Sequence, residues 1–114
     1  MFVKIDFAPE FERTILAGSK TATTRLLKSE PHLDNISVGQ LVQCTTNQTT
    51  VFGTVRITKI ENCRFNSIPE DIALIENYKT ILELQNVLKR FYPSIARNAE
   101  LRILHFELEL TGES

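Results

Sequence analysis

From Leu104 onward the chain alternates: Leu104, Phe106, Leu108 and Leu110 interleave with His105, Glu107 and Glu109. A period of two is the signature of a strand with one dry face and one wet face. The last element therefore reads as a half-buried strand with one wet face. Other segments read as strands for related reasons. Phe2 to Asp6 alternates, Thr21 to Leu27 is rich in threonine, and Leu41 to Thr45 and Val51 to Glu61 are dense in β-formers. Asn47 to Thr50 reads as a hairpin connection between the last two, and Val38-Gly39-Gln40 as a turn.

Three short helices lie between the strands. Pro9 suits a first helical turn, Phe7, Phe11 and Ile15 recur every four residues, and Gly18 is placed to end that helix in the left-handed conformation. Ser67-Ile68-Pro69-Glu70 has the form of a capping box before Ile68, Ile72 and Ile75, and that helix ends near Glu76-Asn77. Thr80 to Glu83 is a second such box, ahead of Leu84, Leu88 and Phe91, and Tyr92-Pro93 closes the helix. Lys28 to Ser37, with Pro31, reads as a loop. The expected class is α+β: a strongly curved sheet or small barrel with about three helices around it. Pairing of the first and last strands is one way to close it.

The 114 residues suit one domain spanning the chain, and an apolar fraction of 42% is enough for a core. A net charge of −1 lacks the basic excess of a protein that binds long stretches of nucleic acid. A single nucleoside or a short RNA contact stays open. Cys44 and Cys63 are far apart, with no metal-ligand spacing, and are expected as plain buried or half-buried thiols. Together with His32 and His105 they are too few for a zinc site. No signal peptide and no membrane-crossing apolar run is visible, so the default compartment is the cytoplasm.

Chemistry concentrates in Gly18-Ser19-Lys20-Thr21-Ala22-Thr23-Thr24-Arg25. An ammonium, several hydroxyls and a guanidinium sit where a helix stops and a strand starts. Such groups can serve as base, nucleophile and anion clamp. In a straight strand Lys20 and Thr23 would point to opposite faces, while Thr21, Thr23 and Arg25 would share one. Lys20 and Thr23 can meet only if the chain bends between Gly18 and Thr21.

Four segments in order resemble an ASCH domain of the PUA-like superfamily. They are Ile15 to Arg25, Val38 to Val42, Asp71 to Asn77, and Phe91-Tyr92-Pro93 with the strand through Phe106. The specific part is the helix end followed by G-x-K-T-x-T-x-R. Within the superfamily the chain is similar to the small bacterial N(4)-acetylcytidine amidohydrolases. The resemblance implies a small β-barrel with helices and a groove for a nucleoside or RNA. It also implies Lys20 as proton acceptor, Thr23 as nucleophile and Glu76 as proton donor, with Arg25 binding or orienting and no metal or organic cofactor. The Lys28–Ser37 loop is longer than the minimal pattern and can reshape the pocket mouth.

The residues make that chemistry intelligible. A threonine must lose a proton to attack an acyl carbon, and a lysine can take it only when neutral, which calls for burial or a nearby cation such as Arg25. At a helix end the dipole disfavours a carboxylate on Glu76, whereas a charged Lys20 nearby favours it. Tyr78, beside Glu76, is expected at the pocket rim and Thr21 among the substrate contacts, while Tyr92 is expected in the helix-ending core. His105 is expected in a structural role, and His32 has no visible triad partner. Two rival readings use the same groove. One is a non-catalytic RNA-binding module with a basic rim, and the other is an RNA-cleaving enzyme.

Overall fold

The computed structural model describes residues 3–109, so Phe2 and Leu110, at the outer ends of two expected strands, lie outside the described residues. Five strands are present: β1 (Val3–Phe7), β2 (Ala22–Leu26), β3 (Leu41–Thr46), β4 (Thr50–Arg64) and β5 (Glu100–Leu108). Three helices accompany them: α1 (Glu12–Leu16), α2 (Glu70–Ile75) and α3 (Ile81–Phe91). The strands form one sheet in the order β1-β3-β4-β5-β2, curled into a half-barrel. β1 runs parallel to β3, and the other pairs are antiparallel. Register shifts at Cys44/Thr45 and at Ile57/Lys59 bend the long β3–β4–β5 ribbon, as bulges do.

The first and last strands do not pair. β5 is occupied on both edges, by β4 and β2, and β1 takes the free edge of β3. The curl is instead bridged by side chains. Arg25 on edge strand β2 donates from Nη2 to the Asp6 carbonyl of edge strand β1 at 2.8 Å, and a ring nitrogen of His32 lies 3.1 Å from the Lys4 carbonyl.

Alternation along β5 assigns the two cores. Leu104 and Phe106 join Ile5, Phe7, Val42 and Ile57 on one face. Leu101 and Ile103 point the other way, against Ile72 of α2 and Leu84 and Leu88 of α3. The Lys28–Ser37 segment holds one 3-10 turn (Pro31–Leu33) and contributes buried Leu33 and Ile36 to the first core. Cys44 is buried and Cys63 half-buried, and burial pushes their thiols up to about 12 and about 11.

Two helix ends set up the site. After α1, Ser19 N–H reaches the Thr14 carbonyl and Gly18 N–H the Ile15 carbonyl, with Gly18 at φ +79°. After α2, Tyr78 N–H reaches the Ala73 carbonyl and Asn77 N–H the Leu74 carbonyl, with Asn77 at φ +71°. Both are Schellman motifs. Asparagine is among the few side chains that tolerate the second position.

The two expected capping boxes fare differently. Pro69 holds Ile68 extended, so α2 starts at Glu70 and the Ser67 hydroxyl turns to Asn66 instead of capping. Thr80 does accept from Glu83 N–H, while the Glu83 carboxylate accepts from Lys79 N–H, one residue before the cap.

The α2 terminus yields a direct test. Asn77→Gly should leave stability within a few tenths of a kcal/mol or raise it, while Asn77→Val should cost about 1–2 kcal/mol in urea melts.

Candidate active site

Lys20 follows the α1 terminus and Glu76 closes α2, so two tight turns aim an ammonium and a carboxylate at one place. Lys20 N–H shares the Thr14 carbonyl, and Thr21 N–H donates to the Ile75 carbonyl at 2.8 Å, which ties the start of β2 to the end of α2. The bend that the sequence required is therefore present, and β2 begins only at Ala22.

Lys20 Nζ donates to Glu76 Oε1 at 2.8 Å, and the two side chains are only 3% and 4% exposed. The Thr24 hydroxyl donates to the other oxygen, Glu76 Oε2. The ammonium also lies 4.8 Å from the centre of the Phe11 ring and 5.8 Å from that of Tyr78. Burial pulls the Lys20 pKa below its ordinary value. Glu76 opposes that shift, and the Arg25 guanidinium adds to it.

A second polar cluster is built around Arg25. Arg25 donates from Nε to Thr23 Oγ1 at 2.9 Å and from Nη1 to both oxygens of Glu30 at 3.0 and 3.2 Å. Its guanidinium lies 4.9 Å from the Phe7 ring centre. Glu30 also accepts from the Tyr92 hydroxyl at 3.2 Å. Every donor nitrogen of Arg25 is thus engaged by the protein, which makes it a brace and leaves Thr23 held by a cation.

Both clusters line a cavity of about 240 Å³. Lys20, Thr23, Thr24, Arg25, Glu30 and Glu76 supply its polar wall, and Phe7, Phe11, Tyr78, Leu88, Phe91 and Tyr92 much of its apolar wall. An apolar enclosure with a few convergent polar groups is the usual form of a small-molecule site. Burial and the Glu76 charge push the Tyr78 hydroxyl up to about 12, so it stays protonated.

The expected residues Lys20, Thr23, Arg25, Glu76 and Tyr78 all line this cavity, whereas Thr21 does not; its hydroxyl lies 3.5 Å from the Ile75 carbonyl. Lys20 is bonded to Glu76, and Thr23 to Arg25. Two residues escaped the sequence reading, Thr24 and Glu30. Thr24 shares a strand face with Ala22 and so points toward α2, which parity within β2 already implied. Glu30 sits in the loop, and nothing local marked it. Tyr92 packs with the helix-ending core as expected and also turns its hydroxyl to Glu30. His105 bonds Glu61 at 2.5 Å, away from the cavity. Among the described residues no group of three or more His, Cys, Asp or Glu gathers to hold a metal ion, and no helix is long and apolar enough to cross a membrane.

Comparison with known proteins identifies the family. The family model of the ASCH domain matches residues 1–108. The chain belongs to the ASCH domain family. Two relatives of this ASCH domain are named N(4)-acetylcytidine amidohydrolase. The one from Pasteurella multocida (strain Pm70) is 36% identical over 91 residues, covering 79% of this chain and 83% of its own. The one from Moritella marina is 32% identical over 95 residues, covering 82% and 84%. Among solved structures, the ASCH domain from Lactobacillus crispatus JV V101 superposes with a TM-score of 0.76 at 22% identity, over 94% of this chain and 79% of that one. The ASCH protein of Zymomonas mobilis gives 0.66 at 13% identity, over 92% and 68%. These two likenesses show the fold: a curled sheet with helices.

The buried lysine gives a pH test with a definite sign. Its pKa is depressed on folding, so between the folded value and 10.5 the unfolded chain binds more protons. The cost of folding around a charged Lys20 is full below the folded value and fades as pH rises toward 10.5. Thermal melts of the wild type and Lys20→Met across the alkaline range should show the stability difference moving in favour of the wild type as pH rises. The effects of Cys44, Cys63 and Tyr78 are common to both and cancel.

Proposed function

We propose that this ASCH domain is an amidohydrolase that removes the acetyl group from N(4)-acetylcytidine, giving cytidine and acetate. The observation that carries the reading is the buried Lys20–Glu76 pair at a cavity that also includes Thr23. The names of the relatives from Pasteurella multocida and Moritella marina support the substrate.

The chemistry follows from one proton shared by the pair. With the proton on Glu76, Lys20 is a neutral amine, a form that its burial favours. Thr23 Oγ attacks the acetyl carbon and yields its proton to Lys20. The Arg25 Nε–H on Thr23 Oγ1 stabilises negative charge developing on that oxygen. The bond from the acetyl carbon to the exocyclic nitrogen breaks as Glu76 protonates that nitrogen, and cytidine leaves. Water then hydrolyses the acetyl ester on Thr23 and releases acetate. The 2.8 Å contact returns the proton from Lys20 to Glu76. No step uses a cofactor.

The RNA-binding reading calls for cations free to meet phosphates. Here Lys20 and Arg25 each face an internal carboxylate, Glu76 and Glu30, which favours an uncharged ligand in the cavity.

Incubation with N(4)-acetylcytidine, with cytidine followed by chromatography, tests the reading. The wild type should turn over. Thr23→Ala, Lys20→Ala and Glu76→Gln should each lose about a hundredfold or more in kcat. An inactive wild type, or a fully active Thr23→Ala, overturns the proposal.

A further inference from the structure

Glu76 is held from two directions, and the amidohydrolase scheme uses only one of them. Lys20 meets Oε1, while Oε2 receives the hydroxyl of Thr24, a residue only 5% exposed. Thr24 sits mid-strand in β2, opposite Ile103 of β5, so its position is fixed by the ladder. We propose that Thr24 is a positioning residue that orients the Glu76 carboxylate, reserving Oε1 for proton exchange with Lys20. This assignment rests on the amidohydrolase reading only for its catalytic consequence; the hold on Glu76 stands on geometry alone.

The physical argument has two parts. A carboxylate on a helix end can rotate, and a free rotation would carry Oε1 away from the ammonium. A hydroxyl donor on Oε2 fixes that rotation and leaves a single oxygen facing Lys20. The same donor stabilises the ionised carboxylate, since a hydrogen bond to a charged group favours the charged form. Threonine suits both proton states, because its hydroxyl donates to Oε2 whether or not Oε1 carries the proton. The titratable groups around Glu76 are Lys20, Tyr78 and Cys63, and Asp6, Arg25, Glu30 and Tyr92 line the same cavity. Burial pushes the Tyr78 hydroxyl up to about 12 and the Cys63 thiol up to about 11, so both stay protonated through the acidic range.

Thr24→Val keeps the strand preference and nearly the shape while deleting the hydroxyl, and Thr24→Ser restores it. The Glu76 carboxyl is followed by carbon-13 NMR on protein labelled at glutamate, alongside the pH profile of kcat/KM for N(4)-acetylcytidine. Thr24→Val should raise the Glu76 titration midpoint by about one pH unit and move the acidic limb of the profile with it. KM should hold near the wild-type value while kcat falls, by less than the roughly hundredfold or more that loss of the acid itself costs. Thr24→Ser should titrate like the wild type. A Thr24→Val midpoint equal to the wild-type one, or a Thr24→Ser midpoint shifted as far as that of Thr24→Val, overturns the assignment. A shifted midpoint in a protein that does not act on N(4)-acetylcytidine supports the hold on Glu76 and counts against the hydrolase reading alone.

Discussion

The structure depends on a lysine and a glutamate paired out of reach of water. Lys20 and Glu76 are 56 positions apart in the chain and meet at 2.8 Å. Taking both charges from solvent is costly, and in general such a pair adds little net stability over apolar residues of similar size. Removing one partner, by contrast, strands a buried charge at a cost of about 3–5 kcal/mol. A pair of this kind makes sense as machinery: its members can pass a proton over a short, dry contact, and burial already weakens the lysine's hold on it.

The fold exists around that meeting. Two helices end in matching turns, one through Gly18 and one through Asn77, and each delivers one member of the pair. Thr21 ties the two ends together through the Ile75 carbonyl. The curled sheet brings its edge strands close enough for Arg25 to reach the backbone of β1, and the same arginine braces Thr23. The cavity is lined by both ion pairs, Lys20–Glu76 and Arg25–Glu30. Each of its two cations is matched by a carboxylate.

Much of this is legible in the residues. The alternation in β5, the glycine after α1 and the Glu76-Asn77 helix end all announce local structure, because each depends on neighbours in sequence. The requirement for a bend before Thr21 came from strand parity, and the chain does bend there. What escaped depends on the curl. Glu30 reaches Arg25 and Tyr92 only because the loop folds under the sheet seam. Thr24 meets Glu76 only because α2 docks on the Ala22 face of β2. Ser67 resembled a cap until Pro69 moved the helix start, a conflict between two local rules. The expected pairing of the outer strands gave way because β5 had both edges filled.

The central claim is that the Thr23 oxygen carries the acetyl group during turnover, with the Lys20–Glu76 pair moving the proton. Acid quenching of the protein in the first turnovers with N(4)-acetylcytidine, followed by peptide mass spectrometry, tests it directly. The account predicts an acetyl group on Thr23 that disappears as substrate is exhausted. An acetyl group that forms instead on Thr24 or Lys20 would contradict it.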